Sequence, residues 1–181
     1  MREKLLSRVL HALLLTYSCP SMPPTETDTI QDLLPRTTES VEETMALGGR
    51  IAKMLPPGAV LALYGDLGSG KTHFVKGLAE EFGIPPAEVR SPTFTILSVY
   101  DEGTRPLCHF DAYRVQNPDE FVELGFEEYA HGDGVTCVEW ADRISALLPP
   151  DAIPLQFHHV APSTRRLTLG APNNTSGGEA A

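Results

Sequence analysis

Residues 65–72 read Gly65-Asp66-Leu67-Gly68-Ser69-Gly70-Lys71-Thr72. Glycines at these spacings permit backbone angles that turn successive N–H groups inward, and the N-terminus of a following helix adds further free N–H groups. A lysine and a hydroxyl at the end of such a loop suit the phosphates of a nucleotide and a magnesium ion. The stretch therefore predicts a phosphate-binding loop, in which Lys71 contacts the β- and γ-phosphates and Thr72 provides a Mg²⁺ ligand.

The segments on either side of this loop have the pattern that the prediction requires. Residues 59–64 form a continuous apolar run bounded by glycine, which is typical of a strand buried on both faces of a parallel sheet. After the loop, apolar residues repeat at helical spacing from Phe74 to Phe82, and Gly83 ends the helix. An unrelated chain of this length matches four fixed positions by chance roughly once in a few hundred sequences. An ordinary glycine-rich turn is therefore the weaker interpretation.

Hydrophobic patterns elsewhere predict an α/β fold. A capping box at Ser40 begins a helix, and a turn over residues 101–103 joins two strands into a hairpin. The predicted elements are helices over residues 40–55, 71–82, 119–129 and 144–148, and strands over residues 59–64, 93–100, 106–111, 134–140, 155–160 and 166–169. We expect a P-loop NTPase-like three-layer sandwich, with a largely parallel central sheet and antiparallel hairpin and edge strands.

The length of 181 residues suits one domain. We assign residues 37–170 to the P-loop domain, with order starting at Ser40, residues 171–181 to a disordered tail, and residues 1–36 to an N-terminal extension that is disordered or follows a wrongly assigned start. Basic residues before an apolar stretch near the N-terminus mimic a secretory signal, but the stretch is too short to span a bilayer. We expect a cytoplasmic protein without membrane association.

Charge and cysteine content exclude some classes of protein. The chain has 14 Lys and Arg against 24 Asp and Glu, a formal charge of −10, which disfavours direct binding to a nucleic acid backbone. Its three cysteines, Cys19, Cys108 and Cys137, are far apart and form no CxxC pair. We expect reduced thiols, with Cys108 and Cys137 buried, and neither a disulfide framework nor a zinc site.

Two carboxylates are candidates for the chemistry at the loop. Asp111 and Glu139 each end a predicted buried strand, the position at which an open α/β sheet binds its ligands. Together they provide one metal partner and one group that orients the attacking water, although a charged strand end is often only solvated. The loop Ser91-Pro92-Thr93 is either a switch loop that responds to Mg²⁺ or an X-Pro turn.

Other residues narrow the choice of nucleotide. None of the three asparagines lies in an NKxD context and no DxxG switch is present, so ATP is favoured over GTP. The histidines His73, His109, His158 and His159 lack a ligand-like grouping, and we interpret them as structural. Trp140 alternates to the strand face opposite Glu139, where packing is its default role.

With these residues in view, the chain resembles the TsaE (YjeE) family, small P-loop ATPases needed for threonylcarbamoyladenosine modification of tRNA. The resemblance covers roughly residues 37–170. It depends on five blocks in order: Ser40-Val41-Glu42-Glu43-Thr44, residues 65–72, Ser91-Pro92-Thr93-Phe94, His109-Phe110-Asp111-Ala112-Tyr113-Arg114 and Val138-Glu139-Trp140. The last three blocks behind a phosphate loop are highly specific.

The resemblance implies roles for individual residues. Thr72 and Glu139 are ligands of Mg²⁺, Asp111 sits at the phosphates and supports hydrolysis, and residues 40–44 lie near adenine. Lys71, Asp111 and Glu139 are then catalytic. Ser69 stands where alanine is usual, and His73 where a second threonine is common. The residues implied to bind the nucleotide are Ser40, Asp66, Leu67, Gly68, Ser69, Gly70, Lys71, Thr72, Asp111 and Arg165.

The resemblance also implies partners. Similar proteins dock on TsaB- and TsaD-like proteins that hold the tRNA, so the chain contacts tRNA only indirectly, in agreement with its acidic charge. We expect slow ATP turnover by the chain alone and faster turnover with these partners. Two alternatives stay open: a small-molecule P-loop kinase, which the dispersed arginines disfavour, and a nucleotide-gated interaction module with negligible hydrolysis.

Overall fold

The computed structural model of the chain describes residues 29–172. Most of the expected N-terminal extension, residues 1–28, and most of the expected tail, residues 173–181, lie outside the described residues. Within the described part, one mixed sheet has the strand order β1-β7-β6-β2-β5-β4-β3. Its strands are β1 (Arg36–Thr38), β2 (Val60–Tyr64), β3 (Leu97–Tyr100), β4 (Leu107–Asp111), β5 (Val135–Glu139), β6 (Ile153–His159) and β7 (Arg165–Leu169).

The centre of the sheet is parallel and its borders are antiparallel. Strand β2 pairs in parallel with both β5 and β6, and β4 pairs in parallel with β5. The pairs β3 with β4, β6 with β7 and β1 with β7 are antiparallel. All residues of β2, β4 and β5 are buried, as expected for strands covered on both faces.

Helices cover both faces of the sheet. The helices are α1 (Ile30–Leu33), α2 (Val41–Ala52), α3 (Lys71–Glu81), α4 (Asp119–Glu123), α5 (Phe126–Ala130) and a 3₁₀ helix (Ala141–Ile144). Buried side chains of α2 and α3 form one core against the sheet, and those of α4, α5 and the 3₁₀ helix form the other. The predicted P-loop NTPase-like three-layer α/β sandwich, with its hairpin and antiparallel edge strands, is confirmed.

Helices α2 and α3 approach each other closely at glycines. A β-carbon on Gly77 would lie 2.6 Å from the carbonyl carbon of Met45 and closer still to its oxygen, whereas one on Gly49 would meet only ordinary contacts. Only half of the capping box predicted at Ser40 is present, because the Glu43 carboxylate accepts from the N–H of Glu39 over 2.8 Å and does not close the box. The Ser40 hydroxyl accepts from the N–H of Glu43 over 3.1 Å. This contact fixes the start of α2 beside the phosphate loop.

Four local predictions were wrong. The short helix expected over residues 144–148 is instead a 3₁₀ helix over Ala141–Ile144. The helix expected over residues 119–129 divides into α4 and α5 at Gly125, whose φ is 72°. The strand expected over residues 93–100 begins only at Leu97, because residues 93–95 form a turn and Ile96 has φ 66°. Trp140 has φ 58° and follows the end of β5, so the strand alternation used to orient its ring does not apply.

The start of ordered structure also differs from the expectation of residue 40. Helix α1 and strand β1 precede it, and Leu33 and Leu34 are buried in the core that α2 and α3 share. Strand β1 pairs with β7 through residues 36–38. The sequence signal is weak here because the two elements are only four and three residues long, too short to show periodicity.

Candidate nucleotide-binding site

The loop between β2 and α3 has the backbone that a phosphate cradle needs. Gly65, Gly68 and Gly70 have φ values of 136°, 76° and 101°, angles that L-residues with side chains rarely adopt. A β-carbon on Gly65 would collide with the carbonyl oxygen of Phe157 on β6, while one on Gly68 would meet nothing within 4 Å. Gly70 precedes the first turn of α3, whose N–H groups have no partners within the helix. The open side of the loop therefore presents free donors suited to phosphate oxygens.

A cleft of about 240 Å³ lies beside this loop. The cleft brings together the loop, the end of β4, the end of β5 and the segment before β3. Its lining residues are Leu67, Gly68, Ser69, Gly70, Lys71, Thr72, His73, Ser91, Thr93, Asp111, Tyr113, Glu139 and Trp140. Four residues with predicted chemistry, Lys71, Thr72, Asp111 and Glu139, thus converge on one site from three different elements.

Lys71 is buried against the loop and an aromatic ring. Its ammonium donates to the carbonyl oxygens of Gly65 and Asp66 over 2.6 and 3.0 Å, and it lies 4.4 Å from the centre of the Trp140 ring. Burial lowers the pKa of Lys71, and the carboxylates of Glu139 and Asp111 oppose that shift. The ammonium is thus held at the floor of the cleft, next to the place where the helix N-terminus favours anions.

Thr72 and Glu139 fit neighbouring positions around a magnesium ion. The Thr72 hydroxyl donates to Oε1 of Glu139 over 2.7 Å. Adjacent ligands of an octahedral Mg²⁺ lie about 3.0 Å apart when each bond is about 2.1 Å, so small adjustments bring both oxygens into one coordination shell. Residues 29–172 contain no group of three or more His, Cys, Asp or Glu arranged to hold a metal. A site with one carboxylate and one hydroxyl instead suits Mg²⁺ that is also bound by substrate phosphates.

Asp111 is engaged by the loop that precedes β3. Its Oδ2 accepts from the hydroxyls of Ser91 and Thr93 over 2.6 and 2.7 Å, and its Oδ1 accepts from the N–H of Tyr113 over 2.9 Å. The residue Asp111 is only 2% exposed. Asp111 therefore lies at the predicted site, and its carboxylate joins residues 91–93 to the end of β4.

Three predicted nucleotide-binding residues, Ser40, Asp66 and Arg165, lie outside the lining of the cleft. Arg165 is outside the lining and donates from Nε to the carbonyl oxygen of Gly68 over 3.2 Å. Ser40 is also outside the lining and caps α2. Asp66 enters the site through its main chain, since its carbonyl oxygen accepts from Lys71. Of these three, Arg165 supports the conformation of the phosphate loop directly.

Sequence reasoning missed three residues at the site: His109, Tyr113 and Trp140. His109 was interpreted as structural, yet its Nε2 lies 3.0 Å from Oε1 of Glu139. Its position two residues before Asp111 in a strand places both on one face of the sheet, and this spacing was the available signal. Tyr113 and Trp140 pack with ring centres 4.9 Å apart beside Lys71. The backbone angle that turns Trp140 into the cleft has no such signal.

A buried parallel strand, a glycine-rich phosphate cradle, and a hydroxyl and a carboxylate at the carboxyl edge of the sheet together define a protein of the P-loop NTPase-like fold. The sequence model of the family described as "Threonylcarbamoyl adenosine biosynthesis protein TsaE" matches residues 38–167. The chain therefore belongs to the TsaE family, as its sequence motifs indicated.

Individual relatives agree with this assignment. A Bacillus subtilis protein named tRNA threonylcarbamoyladenosine biosynthesis protein TsaE is 44% identical over 137 residues, which cover 76% of this chain and 85% of the relative. A Treponema pallidum protein of the same name is 37% identical over 132 residues, covering 73% and 96% of the two chains. The crystal structure of Bacillus subtilis YdiB has a TM-score of 0.64 and 40% identity, covering 78% of this chain and 86% of that chain. No helix within residues 29–172 has the length and apolar character needed to cross a bilayer.

Proposed function

We propose that the chain binds and hydrolyses ATP with Mg²⁺ to support the threonylcarbamoyl modification of the tRNA adenosine next to the anticodon. Membership of the TsaE family supports the biological role. Binding and hydrolysis of ATP are supported by one observation above all: Lys71, Thr72 and Glu139 converge on one cleft at a glycine-rich helix N-terminus. This is the combination that holds a metal-bound triphosphate.

The residues of the chain divide the binding task between them. Main-chain N–H groups of residues 68–72 contact phosphate oxygens, and the Lys71 ammonium moves from the carbonyl oxygens of Gly65 and Asp66 to the β- and γ-phosphates. Thr72 and Glu139 hold the metal. When bound, Mg²⁺ neutralises charge on the phosphates and fixes their orientation. ATP is favoured over GTP because the sequence lacks a guanine-reading motif.

Hydrolysis also requires a group that orients the attacking water. Asp111 lines the cleft and carries a carboxylate whose Oδ2 is occupied by Ser91 and Thr93. A rearrangement of those hydroxyls towards the nucleotide frees Oδ2 to accept from water. Since this rearrangement needs the segment 91–93 to move, we expect slow turnover by the isolated chain and acceleration by partners that hold the moved segment.

The surface around the cleft suits protein partners better than RNA. The formal charge of −10 opposes a nucleic acid backbone. By contrast, Leu67 and Phe94, at and beside the cleft, are 79% and 82% exposed, and the guanidinium of Arg114 lies 4.1 Å from the Phe94 ring centre. Exposed apolar and Arg side chains are common at protein interfaces. This surface supports docking on protein partners, and we propose the TsaB- and TsaD-like proteins that the family resemblance implies, with tRNA reached through them.

Two measurements test the proposal. Titration calorimetry with Mg²⁺ and ATP is expected to show one binding site per chain. Lys71→Ala is expected to abolish this binding. Lys76→Ala changes the outer part of the same helix and is expected to bind ATP like the parent. Deletion of the gene is expected to abolish threonylcarbamoyladenosine in tRNA nucleosides measured by mass spectrometry. A plasmid copy of the parent sequence is expected to restore the modification, and a copy carrying Lys71→Ala is expected not to restore it. If calorimetry detects no nucleotide binding, the proposed biochemical activity is refuted. If the deletion strain has normally modified tRNA, the proposed biological role is refuted.

The bonds between Asp111 and residues 91–93 favour one second candidate, a nucleotide-gated interaction module with negligible hydrolysis. That candidate predicts full tRNA modification in a strain whose only copy of the gene carries Glu139→Ala, provided that the variant protein still binds ATP. ATP hydrolysis as the essential step predicts loss of modification in the same strain. Phosphorylation of an added small-molecule acceptor would indicate a kinase, so the absence of a phosphorylated acceptor separates both candidates from a kinase.

A further inference from the structure

His109 is a buried histidine with one well-defined polar contact. It lies in the middle of β4 and is 0% exposed. Its Nε2 is 3.0 Å from Oε1 of Glu139, the same oxygen that accepts from the Thr72 hydroxyl over 2.7 Å. Its Nδ1 has no hydrogen-bond partner within residues 29–172. Glu139 is therefore the hydrogen-bond partner that orients the ring.

The sheet register explains why these groups meet. Strands β4 and β5 run in parallel, with His109 opposite Cys137 and Asp111 opposite Glu139. Residues two apart in a strand share a face, so His109, Asp111 and Glu139 all point towards helix α3, the side on which Leu107 and Cys137 join the core. His109 lies one layer deeper than the two carboxylates. It can contact Glu139 from below while the mouth of the cleft stays open.

The directions of the hydrogen bonds show which atoms of these groups donate and which remain able to bind a cation. An ionised carboxylate only accepts, and a hydroxyl has a single proton. The Thr72 hydroxyl donates its hydrogen bond to Glu139, so the lone pairs of the Thr72 oxygen are available to a cation. We assign the His109 proton to Nε2, since Nδ1 faces no acceptor in the described part of the chain. Two donors thus hold one oxygen of the Glu139 carboxylate from two sides.

We propose that His109 is a positioning residue for the magnesium site: it fixes the carboxylate of Glu139 in the orientation that lets Glu139 and Thr72 bind the metal together. This inference rests on the proposed function. Donors that orient a metal-binding group from behind commonly set metal affinity. Without His109, the Glu139 side chain keeps its contact to Thr72 but loses its second anchor, so its carboxylate rotates more freely and meets the metal less often.

A merely structural role makes a different prediction. A buried ring that only fills space is replaced well by another ring of similar size, and burial of an imidazole is unfavourable unless it is hydrogen-bonded. Phenylalanine at position 109 then preserves both the fold and the response to metal. A positioning role instead requires a donor at the location of Nε2, which phenylalanine lacks and glutamine supplies.

The test compares His109→Phe, His109→Asn and His109→Gln with the parent. Binding of a fluorescent ATP analogue is titrated with Mg²⁺, and the Mg²⁺ concentration at half-maximal binding is measured. We expect His109→Phe and His109→Asn, whose side chain is too short to reach Glu139, to raise that concentration about 10- to 100-fold. His109→Gln is expected to stay close to the parent. Binding of the analogue with excess EDTA is expected to be equal in all four proteins.

The matched control is a residue on the other face of the same strand. Cys108→Ala changes a buried residue of the same strand whose side chain belongs to the core on the opposite face, and it is expected to leave the Mg²⁺ response unchanged. An unchanged response in His109→Phe overturns the inference, and so does an equal loss in His109→Asn and His109→Gln. If His109→Phe does not fold, the comparison of His109→Asn with His109→Gln tests the positioning role. A parent that binds no nucleotide contradicts the proposed function itself.

Discussion

Thr93 donates its hydroxyl to Oδ2 of Asp111 over 2.7 Å, across 18 residues of sequence. Ser91 donates to the same oxygen over 2.6 Å, and Asp111 is almost fully buried. The segment then passes through Ile96, whose φ of 66° is unfavourable for a β-branched residue by about 1–2 kcal/mol. The carboxylate of Asp111 thus stabilises a segment that carries backbone strain and the exposed Phe94.

The first prediction concerns this anchor. Asp111→Asn keeps an oxygen for the Tyr113 N–H but removes the carboxylate oxygen that accepts two hydroxyls. Hydrogen bonds to charged groups contribute about 1.5–3 kcal/mol, so amide hydrogen exchange of residues 93–96 in the nucleotide-free protein is expected to accelerate by about tenfold or more. Asp101→Asn, at an exposed turn, is the matched control. Equal protection in Asp111→Asn and the parent would show that the segment is held by other contacts.

The second prediction uses Trp140, the only tryptophan of the chain. Because the Lys71 ammonium lies 4.4 Å from its ring centre, movement of that ammonium to phosphate is expected to change tryptophan emission when Mg²⁺ and ATP are added. Lys71→Met is expected to weaken nucleotide binding about 10- to 100-fold, since a charged hydrogen-bond donor is lost, and to reduce the emission change at a fixed ATP concentration. Lys76→Met is the control. Emission that is insensitive to saturating nucleotide contradicts the contact as the source of the signal.

Local patterns predicted most of the fold and the position of the cleft. An apolar run, a glycine-rich loop and a helical repeat are all contiguous in sequence, and two carboxylates at strand ends follow from the rule that parallel strands present ligands at one edge. The site residues Lys71, Thr72, Asp111 and Glu139 accordingly line one cleft. The hairpin of β3 and β4 was equally visible, since its turn residues lie between two strand-like runs.

What the sequence did not reveal depends on contacts between distant residues. The positive φ of Trp140 arises at the end of β5, where its ring meets Lys71 and Tyr113 from other elements. The contact of His109 with Glu139 joins neighbouring strands 30 residues apart. The division of the helix at Gly125 was hidden because apolar residues continue at helical spacing on both sides of it. Tertiary packing, and not local propensity, decided the features at Trp140 and His109, whereas the division at Gly125 follows from the positive φ of a glycine.

The third prediction concerns the packing of α2 on α3. Gly77→Ala places a methyl group against the backbone of Met45, and backbone yields less than the end of a flexible side chain. We expect a loss of about 1–3 kcal/mol in the free energy of unfolding measured with urea. Gly49→Ala is the matched control, because its methyl group would lie 3.4 Å from the nearest atom and alanine favours a helix over glycine by about 1 kcal/mol. Equal stability of the two variants argues against close helix contact at Gly77.

The fourth prediction concerns thiol reactivity. Burial raises the pKa of Cys108 from 9.0 to about 11, and burial also raises that of Cys137 well above its usual value. Since only the thiolate reacts, the reactive fraction of Cys108 at pH 8 falls from about a tenth to about a thousandth. In Cys19→Ser protein, alkylation by iodoacetamide is therefore expected to be at least tenfold slower than in urea and to rise with pH towards 11. Alkylation at the rate of the unfolded chain contradicts burial of both thiols.

The fifth prediction decides where the folded domain begins. Sequence patterns placed its start at residue 37, whereas Leu33 is 8% exposed and packs into the core shared by α2 and α3. Leu33→Ala is therefore expected to lower the free energy of unfolding by about 2–3 kcal/mol, the lower part of the range for Leu→Ala in cores because the site lies near its edge. Leu124→Ala, at a position that is 38% exposed, is the control and should cost less than about 1 kcal/mol. Identical urea midpoints for Leu33→Ala and the parent would restore the boundary at residue 37, because a side chain outside the folded domain has no packing energy to lose.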